Sequence, residues 1–147
     1  MADTRVQLEV EEWIRAEWLP EHLGHPFDRE RVSLTSGGEH SFAAVSRDRR
    51  TVATISTGKA TTAGGKLGVG KLNKLRADML FLTMVDADRK LVILTEADMH
   101  ELCLREVEAG RVPQGIDFVH AAVPLQLRER LDAAREASSR EVTPRSG

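Results

Sequence analysis

The stretch from Thr51 to Val85, TVATISTGKATTAGGKLGVGKLNKLRADMLFLTMV, is the feature of this 147-residue chain that most constrains its fold. Its alternating, β-branched start predicts a strand over 51–57. A glycine-rich segment follows. Apolar residues then recur at the spacing of a helix buried on one side, namely Leu72, Leu75, Met79 and Leu82. A strand, a long loop and an amphipathic helix in this order predict one unit of an α/β protein.

The same stretch concentrates positive charge. Four of the five lysines of the chain lie in it, Lys59, Lys66, Lys71 and Lys74. No acidic residue stands between Asp48 and Asp78, although seven basic residues do; since the whole chain has a net charge of −2, the remainder carries −9. A helix that starts near Gly68 or Gly70 would point free N–H groups at an anion beside these lysines. The four lysines are therefore predicted to bind phosphate, and the alternative is a solvated loop whose lysines only maintain solubility.

Length and composition are typical of one globular domain. We expect a single α/β domain over residues 1–137 and a flexible tail over 138–147, where few apolar residues remain. No apolar run is long enough to span a membrane, and the first residues are acidic, unlike a signal peptide. A single cysteine, Cys103, fits a reducing compartment and lies in an apolar helical stripe. We therefore expect a cytoplasmic protein whose contacts with nucleic acid, if any, are local.

Periodicity predicts the elements around the central stretch. A first helix runs from Thr4 to Pro20, and a later one from Thr95 to Gly110 with Met99, Leu102, Cys103 and Val107 facing inward. Pro124 opens a last helix. The other predicted strands cover 31–35, 41–46, 91–94 and 116–121. The order α-β-β-β-α-β-α-β-α predicts an α/β fold with a mixed sheet and helices on both faces.

This order, with VATIST as its third strand, resembles the restriction-endonuclease-like PD-(D/E)XK phosphodiesterase superfamily over about residues 5–95. The resemblance implies an αβββαβ core, to which this chain adds C-terminal α-β-α elements. In that family an Asp of the second strand and a Glu of the third bind magnesium, and a Lys two residues after the Glu helps to activate water. The residues that match these positions here are Ala43, Thr54 and Ser56.

Methyl groups and hydroxyls are poor magnesium ligands, so the resemblance implies a degenerate site with no catalytic residue, no metal and no cofactor. The sequence then predicts a non-catalytic domain, acting as a homodimer or as part of a larger complex, that binds a phosphate-bearing partner. Nucleic acid is favoured over a nucleotide. GKLGVGK, residues 65–71, matches half of a P-loop, but Leu72 stands where a Ser or Thr would hold magnesium, so nucleotide hydrolysis is not expected.

Two alternatives remain open. The first is a magnesium-dependent nuclease with displaced ligands, in which Glu39, Glu9 or Glu12 supplies a carboxylate and Lys59 or Lys66 replaces the missing lysine. The second is a protein-interaction or assembly component without an anion ligand. In that case a homodimer or a larger complex forms when the basic loop docks on the acidic remainder of a neighbouring copy.

Overall fold

The computed structural model describes residues 5–61 and 65–142, with side chains up to residue 137. Its elements follow in chain order: α1 (Arg5–Trp13), a π-helical segment (Ile14–Trp18), α2 (Leu19–Leu23), β1 (Phe27–Ser33), β2 (Glu39–Ser46), β3 (Thr51–Ser56), α3 (Val69–Thr83), β4 (Arg89–Leu94), α4 (Ala97–Glu108), β5 (Ile116–His120) and α5 (Leu125–Val142). The predicted α/β class and mixed sheet are confirmed. The assignment of this core to the endonuclease-like superfamily stays a prediction.

The five strands lie in the sheet in the order of the sequence. β1, β2 and β3 are antiparallel neighbours, whereas β3, β4 and β5 are parallel. Parallel neighbours need a crossover, which α3 and α4 provide. Both crossover helices pack on one face of the sheet, while α1 and α5 cover the other. The carboxyl ends of β3 and β4 therefore meet the starts of α3 and α4 at one edge.

Strand β4 is buried on both faces, as its unbroken apolar run predicts. Val92 and Leu94 join the core under α3 and α4, and Leu91 and Ile93 join the core under α1 and α5. The predicted stripe of α3 is also confirmed, since its buried residues are Leu72, Leu75, Met79 and Leu82. No helix in the described ranges is long and apolar enough to cross a membrane.

The chain stays helical past Pro20, so the prediction that this proline ends the first helix is wrong. Helix α1 passes into the π-helical segment, where the Leu19 N–H donates to the Ile14 carbonyl, one residue further back than in an α-helix. Pro20 then lies in the first turn of α2, where a missing N–H costs least. Gly24, with a φ of 81°, ends the helical region.

Strand β2 contains a β-bulge at Ala43 and Ala44. These two residues stand opposite one residue of β1, because the pairs on either side are Asp28–Val45 and Glu30–Phe42. β1 itself begins at Phe27, before the predicted start at Arg31.

Strand β2 separates from β3 on the amino-terminal side of the bulge, over residues 39–43. The described pairs between them are Ala44–Ala53 and Val45–Val52. The last residues of β3 are paired with β4 alone, at Thr54–Val92, Ile55–Ile93 and Ser56–Leu94. One edge of the end of β3 is therefore open.

Two sequence predictions concern the C-terminal part: the inward position of Val107 is wrong, and the flexible tail over 138–147 stays a prediction. Val107 is exposed, and Glu106 is buried in its place because Arg76 and Arg111 pair with its carboxylate. Helix α5 continues to Val142, past residue 138 where the tail was predicted to begin. The rest of the predicted tail, 143–147, lies outside the described residues.

Candidate functional site

The glycine-rich segment between β3 and α3 folds back on itself where it is described. Thr61 and Leu67 form an antiparallel bridge, and the Gly68 N–H donates to the Ala60 carbonyl at 2.7 Å. A side chain at Gly68 would be crowded, since a Cβ there would lie 3.2 Å from the Ala60 oxygen. This close approach fixes the start of α3 at Val69.

The first turn of α3 leaves backbone donors available. The Leu72 N–H donates to the Gly68 carbonyl and the Val69 N–H to the Leu67 carbonyl. The N–H groups of Gly70 and Lys71 have no acceptor among the described residues, and no side chain caps the helix. The positive end of the α3 dipole therefore points into the lysine-rich region.

The four lysines of this region are not used to hold the fold together. None of Lys59, Lys66, Lys71 and Lys74 forms an ion pair or side-chain hydrogen bond with any described residue. Lys66, Lys71 and Lys74 are exposed, and Lys59 is half-buried. The ion pairs of the described ranges are formed by arginines, for example Arg15, Arg76, Arg128 and Arg135.

Lys71 lies in a cationic environment. Burial lowers the pKa of its ammonium group, and Arg135 and Lys59 lower it further, against the opposing effect of Asp98 and Glu96. An anion placed beside Lys71 would favour the charged form. The arrangement of Lys59, Lys71 and Arg135 therefore suits a negatively charged group.

Side chains from α4 and α5 form hydrogen bonds with the backbone at this edge of the sheet. The Asp98 carboxylate accepts a hydrogen bond from the Ala60 N–H at 3.1 Å, which ties the loop to the first turn of α4. Arg135 of α5 donates to the Thr57 carbonyl at 2.7 Å and pairs with the buried Glu96 carboxylate at 3.3 Å. The end of β3 is thus held by side chains from two other elements.

A cleft of about 200 Å³ opens between α1 and α3, at the end of β3. Helix α1 contributes Gln7 and Glu11 to its lining, and α3 contributes Lys71, Lys74 and Asp78. Burial raises the pKa of Glu11, although Arg15, Arg29 and Lys74 oppose it. Burial likewise raises the pKa of Asp78, against Lys74 and His40. The cleft therefore holds two carboxylates that solvent only partly stabilises.

The three degenerate positions do not all line the cleft. Ser56 lines the cleft, and its Oγ accepts a hydrogen bond from the Gly58 N–H at 3.2 Å. Thr54 is buried outside the lining, and its Oγ1 has no partner in the described structure. The carbonyl of Ala43 accepts a hydrogen bond from Arg15 at the bulge. Only Ser56 of the three could touch a molecule in the cleft.

The carboxylates considered as displaced metal ligands point elsewhere. Glu39 pairs with Arg31 on the β1–β2 hairpin, Glu12 with Arg15 and Glu9 with Arg130. No group of three or more His, Cys, Asp or Glu side chains that could hold a metal ion occurs among the described residues.

Glu11 and Asp78 are the acidic residues of the cleft, and the sequence interpretation did not single them out. A signal for Glu11 was present: Gln7 and Glu11 directly follow the buried Val6 and Val10, so they border the apolar stripe of α1. For Asp78 the comparable signal is its position just before the buried Met79.

No protein-family model, curated protein or solved structure matches this chain. The function is therefore argued from the geometry of the residues themselves.

Proposed function

We propose that this protein is a small cytoplasmic domain of endonuclease-like architecture that binds a phosphate-bearing partner without catalysing a reaction. Nucleic acid is the favoured partner, ahead of a nucleotide. The binding surface consists of Lys59, Lys66, Lys71 and Lys74 around the first turn of α3. One observation carries the proposal: these lysines have no partner in the described structure, although the arginines are largely engaged in ion pairs.

Lysine ammonium groups beside free helix N–H groups bind phosphate by charge and by hydrogen bonds. The Gly70 and Lys71 N–H groups supply the second component. Because the remainder of the chain carries a net negative charge, contact with a polyanion would be local.

The absence of catalysis is proposed from the residues at the family positions. Ala43, Thr54 and Ser56 offer no carboxylate, and Glu39, Glu9 and Glu12 form ion pairs outside the cleft. No cofactor is needed for binding of this kind. A magnesium-dependent cleavage assay tests this part, and turnover that Glu39→Ala abolishes would establish the nuclease alternative instead.

A second candidate is an assembly component, most simply a homodimer. It is favoured by Leu67 and Val69, which are 51% and 53% exposed between Lys66 and Lys71. Exposed apolar side chains flanked by lysines suit a protein interface with an acidic rim. The acidic remainder of a second copy would supply that rim.

The decisive experiment measures binding of single-stranded and duplex DNA to the protein at several salt concentrations. In the double variant Lys66→Ala/Lys71→Ala, loss of two phosphate contacts should reduce the slope of log K against log salt by about 1.4 for single strands and about 1.8 for duplex. Lys90→Ala is the matched control, because Lys90 lies at the opposite, amino end of parallel strand β4. Its slope should equal that of the unmodified protein.

Two outcomes would contradict the proposal. One is DNA binding that the double variant leaves unchanged. The other is no DNA binding at all together with salt-sensitive self-association that the double variant abolishes, which would favour the assembly component.

A further inference from the structure

Two carboxylates in the cleft between α1 and α3 lack partners among the described residues. Glu11 and Asp78 are both half-buried, yet neither forms a hydrogen bond or an ion pair with a described residue. The other buried or half-buried carboxylates of the described ranges each have a hydrogen-bond or ion-pair partner, namely Glu30, Glu96, Asp98 and Glu106. A half-buried carboxylate without a partner costs free energy, and a bound cation would offset that cost.

Two ammonium groups line the same cleft. Lys71 and Lys74 are part of its lining and, like the two acids, have no described ion-pair partner. Lys74 is close enough to lower the pKa of both Glu11 and Asp78, but it contacts neither of them directly. The four charged groups sum to zero, so the cleft as a whole favours neither a cation nor an anion. It favours a molecule that carries a positive and a negative charge.

The floor of the cleft adds backbone groups and apolar surface. The Ser56 carbonyl accepts a hydrogen bond from the Thr95 N–H on the β4 side. Because successive residues of a strand direct their N–H and C=O groups to opposite sides, those of Ile55 point to the side that β2 has left. The side chains of Ile55 and Leu75 line the cleft beside them.

We propose that this cleft binds a compact zwitterion of the free amino acid class. The ammonium group of the ligand would lie between Glu11 and Asp78, and its carboxylate beside Lys71 and Lys74. A volume of about 200 Å³ suits one amino acid, since pockets for drug-sized ligands begin at about 300 Å³. This inference goes beyond the proposed function and does not depend on it, because the nucleic-acid surface needs neither carboxylate.

The test is isothermal titration calorimetry of the full chain with each proteinogenic amino acid separately. At least one should bind. Its decarboxylated amine and its deaminated acid should each bind at least about tenfold more weakly, because each loses one charge-assisted contact. Glu11→Gln and Asp78→Asn should lower the affinity for the amino acid by about ten- to hundredfold. Glu12→Gln is the matched control, since Glu12 pairs with Arg15 outside the cleft and its loss should leave the affinity unchanged.

Three results would overturn the inference: no amino acid binds, either analogue binds as tightly as the zwitterion, or both acid variants retain full affinity. If Glu11→Gln fails to fold, Asp78→Asn on the opposite wall makes the same test. DNA binding separates this inference from the proposed function. Lys66→Ala should weaken DNA binding and leave amino acid binding intact, because Lys66 does not line the cleft.

Discussion

Arg15 and Ala43 are joined by a hydrogen bond of 2.7 Å between the guanidinium Nη1 and the backbone carbonyl. Arg15 belongs to the π-helical segment, and Ala43 lies in the bulge of β2. A bulge leaves a backbone group without its ladder partner, and here a side chain of the other irregular element satisfies it. The π-helical segment and the bulge thus support one another across the interface between helix and sheet.

Replacing Arg15 should show how much an unpaired Ala43 carbonyl lowers the free energy of unfolding. We expect Arg15→Met to lower the free energy of unfolding by about 1–3 kcal/mol, because a part-buried carbonyl loses a charged donor. Urea denaturation followed by circular dichroism measures the change. Glu12→Gln is the control: it removes the exposed ion pair of Arg15 but keeps the bond to Ala43, and should cost at most about 1 kcal/mol. Equal effects of the two variants would mean that the bond to Ala43 contributes nothing.

Glu96 should be the most important charged residue for stability. Its carboxylate accepts two hydrogen bonds from Arg128, at 3.0 and 2.8 Å, and one from the Thr95 hydroxyl at 2.9 Å. Removing its charge leaves the exposed Asp132 as the remaining carboxylate that pairs with Arg128 and Arg135, whose side chains are only 27% and 23% exposed. We expect Glu96→Gln to destabilise the fold by about 2–3 kcal/mol, less than for a fully buried pair.

The matched control for Glu96 is Glu106, the other glutamate of the described ranges that is buried and pairs with two arginines. Its partners Arg76 and Arg111 are 46% and 64% exposed, so water can solvate them when the carboxylate is removed. Glu106→Gln should therefore cost less than Glu96→Gln in the same urea experiment. The reverse order would show that the exposure of the arginines does not set the cost.

The fold was predictable in the segments where the apolar residues follow the spacing of one kind of element. Leu72, Leu75, Met79 and Leu82 mark the buried side of α3, and the run 91–94 marks a central strand. Pro20 misled the interpretation, because a π-helical segment placed it in the first turn of a new helix, where its missing N–H is harmless. No local pattern in a sequence signals such a change of hydrogen bonding.

The site was predictable in part. The lysines stand out by composition, and they have no ion-pair partner among the described residues. The cleft was not predictable, since it depends on the separation of β2 from β3 and on α1 and α3 lining the two sides of the resulting gap. The burial of Glu106 where Val107 was predicted also depends on tertiary contacts. Two arginines pair with the Glu106 carboxylate and make its burial favourable.

The cleft acids should make stability depend on pH. The pKa values of Glu11 and Asp78 are raised by burial from ordinary values of 4.5 and 3.8. A carboxyl with a raised pKa in the folded state favours folding at low pH, and this contribution is lost as the pH rises from the ordinary value through the raised one. The double variant Glu11→Gln/Asp78→Asn should therefore gain stability over the unmodified protein as the pH rises to 7.

The measurement for this prediction is the difference in urea midpoint between the double variant and the unmodified protein, from pH 3 to pH 7. The gain should be a fraction of a kcal/mol, because both carboxyls are partly exposed and screened. A difference that does not change with pH would mean that the two acids have ordinary pKa values.

Cys103 should be unreactive in the folded protein. Burial, with a further contribution from Glu106, raises the pKa of its thiol from 9.0 to about 11. Since only the thiolate reacts, the raised pKa alone should slow labelling by a disulfide reagent at pH 8 about 100-fold relative to the unfolded chain. The reaction is followed by absorbance with and without guanidinium. Equal rates in both conditions would contradict the buried position of Cys103 in the core.

Gly68 and Gly70 are two residues apart, and alanine should have opposite effects at the two positions. At Gly68 a Cβ would lie 3.2 Å from the Ala60 carbonyl oxygen, which also accepts the Gly68 N–H, so the loop and the start of α3 would have to move apart by a few tenths of an ångström. At Gly70, inside α3, a Cβ meets nothing within 4 Å. There alanine should stabilise the helix by at most about 0.5–1 kcal/mol, the value for a helix interior, because glycine loses more backbone entropy on folding.

Gly68→Ala should therefore lower the urea midpoint and also weaken DNA binding, because it displaces the first turn of α3 from Lys59. Gly70→Ala should raise the midpoint and leave DNA binding unchanged, since a methyl group in open space blocks no lysine. If Gly68→Ala lowers stability but DNA binding stays intact, the close contact between Gly68 and Ala60 serves the fold alone. The lysines would then bind DNA whether or not Gly68 stays in contact with Ala60.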